Sequence, residues 1–431
     1  MKLIVNVTLN ERDNKLKKNV FCSGKIIAIL LLCVFSGLVF AGENEKTITS
    51  ATVTLSGENW YPEVKSSLEK IITDNAGKNK KAVFDCDNTI LCRDIGEATL
   101  AVMATDGRLT PQNVPSEVSP EFTINGKKIS LKSGIMTYYD EILSATEHQK
   151  NEKCPSANSY AWAVQIMKGM TPAEIIPFTE KAFADGLGKN DMKDENLGRT
   201  QIDEVDRPFF YPEMADLLGT LIKNKIGVYV ISASNVWSVR WLVINKLNPI
   251  LKEKFGNDVY LSPDHVIGIS VLLRDKRDGM LYKDPLLVKT NKKYAEMDMD
   301  ELKNYELTTQ IAYPLSGYYG KVANVLKLVT FGRPLLAGGD SSNDFPMLNF
   351  AENRLFITRL DKLNYQKELM DVVKDSLPGK WLLQPSLNKI TPGFVSSDVE
   401  LNKRLEKAGD DLKTAEETVA FLKKSGQLKS F

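Results

Sequence analysis

Histidine is almost missing from this chain: His148 and His265 are the two among 431 residues. A histidine nucleophile or a histidine-built zinc centre needs more imidazoles than that, so both read as surface or loop residues. Cysteine is sparse too, at five. Cys22 and Cys33 fall in an amino-terminal leader, Cys86 reads as a packed core thiol, and Cys92 and Cys154 are left as a pair that an oxidising compartment would allow to bridge. A charge of one sign is also lacking: 56 Lys and Arg stand against 55 Asp and Glu, a net charge of +1. That balance gives no argument for nucleic-acid binding or an electrostatic membrane patch. There are no repeats and no low-complexity segment.

Long apolar runs are absent except near the amino terminus. Lys15, Lys17, Lys18 and Lys25 precede an uncharged stretch from Ile26 to Ala41 that closes on Val39-Phe40-Ala41. This is the pattern of a secretory signal, and it is short for a segment that crosses a bilayer. The expectation is a signal peptide over 1–41 cleaved near Ala41, and a periplasmic or secreted mature protein without stable membrane insertion.

What is present is organised around Lys80 to Asp94. Ala82-Val83-Phe84 reads as a buried parallel strand, and Asp85 and Asp87 follow where it should end. Residues two apart on an extended chain face the same way, so both carboxylates project from the strand's carboxyl end, where open α/β sheets bind ligands. Two anions so close need a cation or a shared proton, which makes Mg²⁺ and a phosphoryl group natural guests.

Two more strands end in functional groups. Val228-Tyr-Val-Ile231 runs into Ser232-Ala-Ser234, and Pro334-Leu-Leu-Ala337 runs into Gly338-Gly339-Asp340, with Asp344 four residues on. Lys321 opens the helix before the last of these. Leu355-Phe-Ile357 and Trp381-Leu-Leu383 are candidate further strands, and Val266 to Leu273 with Gly279 to Tyr282 suggests a hairpin. From Ile95 to Asp206 strand–helix alternation stops: helical stretches prevail, with one hairpin around Asn125-Gly126. The expected organisation is a leader and helix over 42–76, an α/β core over 77–94 and 207–397, a mainly helical cap over 95–206, and a terminal helix over 398–431, with 42–59 a loose leader.

If the strands are neighbours in one parallel sheet, their ends form a kit for phosphoryl transfer. Asp85 would attack phosphorus to give an aspartyl phosphate, and Asp87 would protonate the leaving alkoxide and then deprotonate the hydrolytic water. Asp85, Asp340, Asp344 and the Asp87 carbonyl would hold Mg²⁺, while Ser232 and Lys321 would bind the phosphate.

This ordered set resembles the haloacid dehalogenase superfamily in its phosphatase branch. Asp85, Asp87 and Thr89 match its first motif, Ser232 its second, Lys321 its third, and Gly339, Asp340 and Asp344 its fourth. The resemblance implies a Rossmann-like three-layer core with a parallel sheet, a cap between the first two motifs, a Mg²⁺ cofactor, and Thr89 beside the phosphate. At closer range the chain is similar to bacterial phosphorylcholine phosphatases, through Asp85-Cys-Asp-Asn-Thr with Glu97, Tyr138-Tyr139, Ala161-Trp162-Ala163-Val164-Gln165 and Arg333-Pro-Leu-Leu. That likeness implies a small phosphomonoester with a cationic head group, held by Tyr138, Tyr139, Tyr160 and Trp162 with Asp94 or Glu97. The fourth motif, Gly339-Asp-Ser-Ser-Asn-Asp344, is spelt more like phosphoserine phosphatases, as is Asp94. A phosphoserine-type or broad-specificity phosphatase therefore stays open, and so does a non-catalytic protein that binds phosphate or quaternary ammonium.

Overall fold

Strands buried on both faces form the centre of the molecule, described by a computed structural model over residues 52–124, 126–147, 159–187, 194–198, 206–389, 391–406 and 411–425. The chain divides into two compact units, Met1–Thr49 and Ser50–Phe431, and all described residues lie in the second. The expected signal segment, Cys154 and His148 lie outside the described residues.

The central strands are Lys81–Phe84 (β1), Gly227–Asn235 (β2), Val266–Ile269 (β3), Leu336–Gly339 (β4), Asn353–Arg359 (β5), Lys380–Leu387 (β6) and Gly393–Phe394 (β7). They lie in the order β7-β6-β5-β4-β1-β2-β3. Every neighbouring pair is parallel except β6 and β7. Phe84 sits between Val230 and Gly338, and a side chain in place of Gly338 would meet the Phe84 ring at 2.4 Å. Chain order runs outward through β2 and β3 on one side and through β4, β5 and β6 on the other. The topological switch therefore lies between β1 and β4, where such sheets open a crevice at their carboxyl ends.

The expected strand over Val266 to Leu273 divides at Ser270. Val266–Ile269 joins the parallel sheet, whereas Val271–Asp275 leaves to pair antiparallel with Leu281–Tyr282 and Tyr305–Ile311. The division follows burial: Val266 and Ile267 are both covered, as a parallel strand requires, while Val271, Leu273 and Asp275 alternate with more exposed neighbours.

Helix Pro62–Asn75 (α1) buries Val64, Leu68, Ile71 and Ile72. The segment before it is not a loose leader over its described part. Leu55 is buried, the Ser56 amide and hydroxyl donate to Asp216 at 2.7 and 2.8 Å, and Asn59 donates to Glu213 at 2.9 Å. These acceptors lie on the helix Pro212–Lys223. Asp216 tolerates burial because backbone N–H groups and Lys254, at 2.7 Å, satisfy it.

Between β1 and β2 the inserted segment carries Ile95–Thr105 (α2), Ile135–Glu147 (α3), Ser159–Gln165 (α4) and Pro172–Asp185 (α5), with a small hairpin of Phe122–Ile124 and Lys127–Ile129. The chain enters and leaves it through two antiparallel segments, Leu91–Cys92 and Phe209–Phe210, and Arg93 pairs with Asp206 at 2.8 Å beside them. At the carboxyl terminus two helices, Asp398–Leu405 and Asp411–Lys424, stand where one was expected, and the second packs on Leu363–Lys374.

Replacing Asp216 by Ala strands the Ser56 and Gly57 amides and removes the carboxylate that faces Lys254. The expected cost is about 2–3 kcal/mol of unfolding free energy in urea titrations; a loss below about 0.5 kcal/mol would mean the amino-terminal segment is not held by this carboxylate.

Candidate active site

Four carboxylates meet at the switch point. Asp85 follows directly on β1 and Asp340 directly on β4, so adjacent parallel strands deliver them to the same sheet edge. The Lys321 ammonium lies between Asp85 and Asp344, 2.6 Å from an oxygen of each, with no solvent exposure. The other Asp344 oxygen accepts the Asp340 and Ser341 amides at 3.1 and 3.3 Å. This fold-back needs glycine at 339, where a Cβ would lie 2.4 Å from that of Asp344. Asp340 accepts the Thr89 hydroxyl at 3.4 Å on one oxygen and Arg359 at 3.4 Å on the other.

Asp87 is held by a separate set of donors. One oxygen accepts the Ser234 and Ser232 hydroxyls at 2.7 and 3.2 Å, and the other accepts the Ile95 amide at 2.8 Å. Ile95 is the first residue of α2, so the start of the inserted segment orients this carboxylate.

Burial, and after it the Asp344 charge, push the Asp85 carboxyl well above the usual range against the pull of Lys321. Burial also raises Asp87, opposed by the Ile95 amide and the two serines. For Lys321 burial works the other way, but Asp344 and Asp85 prevail and hold the ammonium above its ordinary pKa.

Oxygens of Asp85, Asp340 and Asp344 lie within 4.8 Å of one another, all buried. Counting Asp87, four carboxylates face two cations, Lys321 and Arg359. An all-oxygen donor set with surplus negative charge fits a hard divalent cation.

In front of these groups opens a cavity of about 100 Å³, lined on the core side by Asp85, Asp87, Asp340, Ser234, Asn343 and Arg359. The inserted segment contributes Glu97, Asp140 and Tyr160, with Asp94 at its threshold. Six carboxylates line it against two basic side chains, Arg359 and Lys362.

The structure thus brings Asp85, Asp87, Thr89, Ser232, Lys321, Asp340 and Asp344 together, but not all as expected. Thr89, Ser232 and Lys321 are fully buried behind the cavity, and their polar atoms are committed to Asp340, Asp87, and Asp85 with Asp344. Ser234 and Arg359 face the space expected for phosphate instead. Asp94 lines the cavity and also caps α2, accepting the Glu97 amide at 2.8 Å. Tyr139 and Tyr160 border an adjoining pocket with Glu97, and Tyr139 is hydrogen-bonded to Glu97.

Tyr138 and Trp162, expected at the head group, are turned into the interior of the inserted segment. Tyr138 donates to the Pro120 carbonyl at 2.7 Å and Trp162 to the Ser119 hydroxyl at 3.0 Å, their rings 5.0 Å apart. Adjacent residues on a helix point about 100° apart, and here Tyr138 turns to Pro120 while Tyr139 turns to Glu97. Cys92 is buried with its sulfur 3.7 Å from Asn388.

Arg359 and Asp140 escaped the sequence reading, and Ser234 reads there as part of a strand end without a role of its own. Arg359 had a signal, a charge closing the apolar run Leu355-Phe-Ile357 at the same sheet edge. Asp140 had none, being one acid among several on a helix.

No family model matches the chain. It is 25% identical over 325 residues to the phosphorylcholine phosphatase of Pseudomonas aeruginosa, covering 74% of this chain and 85% of that one, and is a distant relative of it. Among solved structures it is similar to a conserved protein of unknown function from Anaerococcus prevotii, at a TM-score of 0.50 and 18% identity over 80% of this chain and 97% of that one. At that identity the likeness concerns the fold alone.

Replacing Lys321 by Met leaves Asp85 and Asp344 buried without their shared cation. Thermal and urea unfolding should show a loss of about 3–5 kcal/mol, partly restored by millimolar Mg²⁺. A variant as stable as the parent without the metal would contradict the placement of this lysine.

Proposed function

We propose that this distant relative of phosphorylcholine phosphatase, with its Rossmann-like α/β core, is a phosphoric monoester hydrolase that forms an aspartyl phosphate on Asp85. One observation carries the reading. Asp85 lies at the switch point within 4.8 Å of two further carboxylates and against Lys321, while Asp87, two residues on, is held apart by its own donors. This is a division between a nucleophile and a proton carrier.

In the first step an Asp85 oxygen attacks phosphorus, the bond to the ester oxygen breaks, and Asp87 gives that oxygen its proton. In the second, Asp87 takes a proton from a water that attacks the phosphoryl group, which frees phosphate and restores Asp85. Ser234, Asn343 and Arg359 supply donors to the phosphate oxygens from the cavity wall. Mg²⁺ held by Asp85, Asp340 and Asp344 would neutralise the charge that a phosphate brings to this acidic cluster.

The inserted segment serves as the selective lid. A quaternary ammonium has no donors and must be held by aromatic faces and nearby carboxylates. Tyr160 with Glu97, Asp94 and Asp140 offers both among the residues that line the cavity. This supports phosphocholine or a related phosphorylated amino alcohol as substrate. A phosphoserine-type substrate is the second reading, favoured by Lys362 and Arg359, which line the same cavity and would suit a carboxylate. The basic and apolar stretch before Gly42 supports a periplasmic or secreted enzyme.

Phosphate release from phosphocholine, phosphoethanolamine, phosphoserine and para-nitrophenyl phosphate, with Mg²⁺ and with a chelator, tests the assignment. The first is expected to be hydrolysed fastest and the chelator to stop turnover; release from none would leave a binding protein. Asp85→Asn should lower kcat by at least roughly a thousandfold with the fold intact, and Asp87→Asn by roughly 10²–10⁴-fold. Substantial turnover by Asp85→Asn would count against covalent catalysis. Glu97→Gln is expected to raise KM for phosphocholine by about fivefold to twentyfold while leaving para-nitrophenyl phosphate unmoved, since about 1–2 kcal/mol of head-group attraction is lost. An equal effect on both substrates would take Glu97 out of the head-group site.

A further inference from the structure

A second cavity, sharing no lining residue with the active site, opens beside the edge strand β3. Its volume is about 360 Å³, within the range of roughly 300–1,000 Å³ usual for small-molecule sites. Val266, Ile267 and Gly268 form one wall, and the helix Asp284–Thr290 forms another with Leu286 and Val288. The third is the end of the helix Tyr319–Asn324 and the turn beyond it, with Asn324, Lys327 and Leu328.

The charged groups around it are unequal. Arg240 and Asp284 are buried against each other at 2.7 and 2.9 Å, and Tyr294 donates to Asp284 at 2.7 Å, so this pair is closed and its charges cancel. Asp264 accepts the Ser262 hydroxyl at 2.6 Å. Against that one further acid stand Lys283, Lys289 and Lys327, none of which pairs with a carboxylate among the described residues. The Lys283 ammonium has a carbonyl, that of Tyr313, at 3.4 Å. Apolar surface stays open to solvent here as well: Leu286 is 50% exposed and Tyr313 65%. An apolar hollow ringed by surplus ammonium groups is complementary to a molecule with an apolar body and an anionic head, because lysine stems can cover the body while their charges meet the head.

We infer that this cavity binds a small amphipathic anion of the medium-chain carboxylate kind. The proposal stands apart from the phosphatase reading, since it uses none of the same residues.

Octanoate, 1-octanol and octyltrimethylammonium share a chain and differ in the head, and titrating the full chain with each by calorimetry or ligand-observed NMR separates the contributions. Octanoate should show one saturable site and bind at least about tenfold more tightly than the other two. The double substitution Lys289→Glu with Lys327→Glu should weaken octanoate by about tenfold or more and leave 1-octanol within about twofold. Val288→Trp, which fills the hollow, should remove both; circular dichroism checks that each variant is folded. Absence of saturable octanoate binding, equal affinity for all three heads, or indifference to the charge reversal would each overturn the inference.

Discussion

One buried ammonium organises the acidic centre of this molecule. Lys321 touches Asp85 and Asp344 at the same 2.6 Å, and it comes from a helix 236 residues from the first in sequence and 23 from the second. Three carboxylates within 4.8 Å of one another would repel strongly in a site shielded from water. The lysine offsets part of that repulsion, and Arg359 beside Asp340 offsets more. What remains is negative, and the proposed metal site follows from that residue of charge. The strand ends can close on the lysine because their neighbours are small: Gly338 makes room for Phe84, and Gly339 for the returning Asp344.

A second dependency runs through the inserted segment. Its first amide, at Ile95, holds Asp87, and its first turn carries Asp94 and Glu97 into the cavity. The two antiparallel connections, Leu91–Cys92 and Phe209–Phe210, tie this segment to the core at the point where the carboxylates meet. The cavity is consequently two-sided. In the proposed reaction the core side handles phosphate, and the inserted side handles the rest of the substrate. A shift of α2 would then alter both the head-group contacts and the orientation of the proton carrier.

The buried donors illustrate how a motif can name a residue and leave its present partner open. Thr89, Ser232 and Lys321 each stand at the site, yet in the structure each serves a carboxylate and lies behind the cavity wall. Ser234, whose hydroxyl also donates to Asp87, is the serine of the Ser232-Ala-Ser234 run that reaches the open space.

Apolar runs, three of them capped by acids or hydroxyls, were enough in the sequence alone to mark the strands β1, β2, β4, β5 and β6 and the groups at the ends of β1, β2 and β4. Burial on both faces demands continuous runs such as Ala82-Val83-Phe84, and side chains just beyond a strand inherit its direction. The helices in the described part of the segment between Ile95 and Asp206 were legible for a related reason, that local periodicity is written in neighbouring residues. Only the tertiary structure decided which face of a helix meets the cavity. That choice turned Tyr139 towards Glu97 and Tyr138 towards Pro120 and brought Asp140 to the site, while strand pairing set Arg359 at the same sheet edge and split Val266 to Leu273 between two sheets. Periodicity marks a helix as having an apolar face but leaves unstated what covers it, and ion pairs such as Lys321 with Asp85 bridge residues too distant in the chain for any local pattern to record.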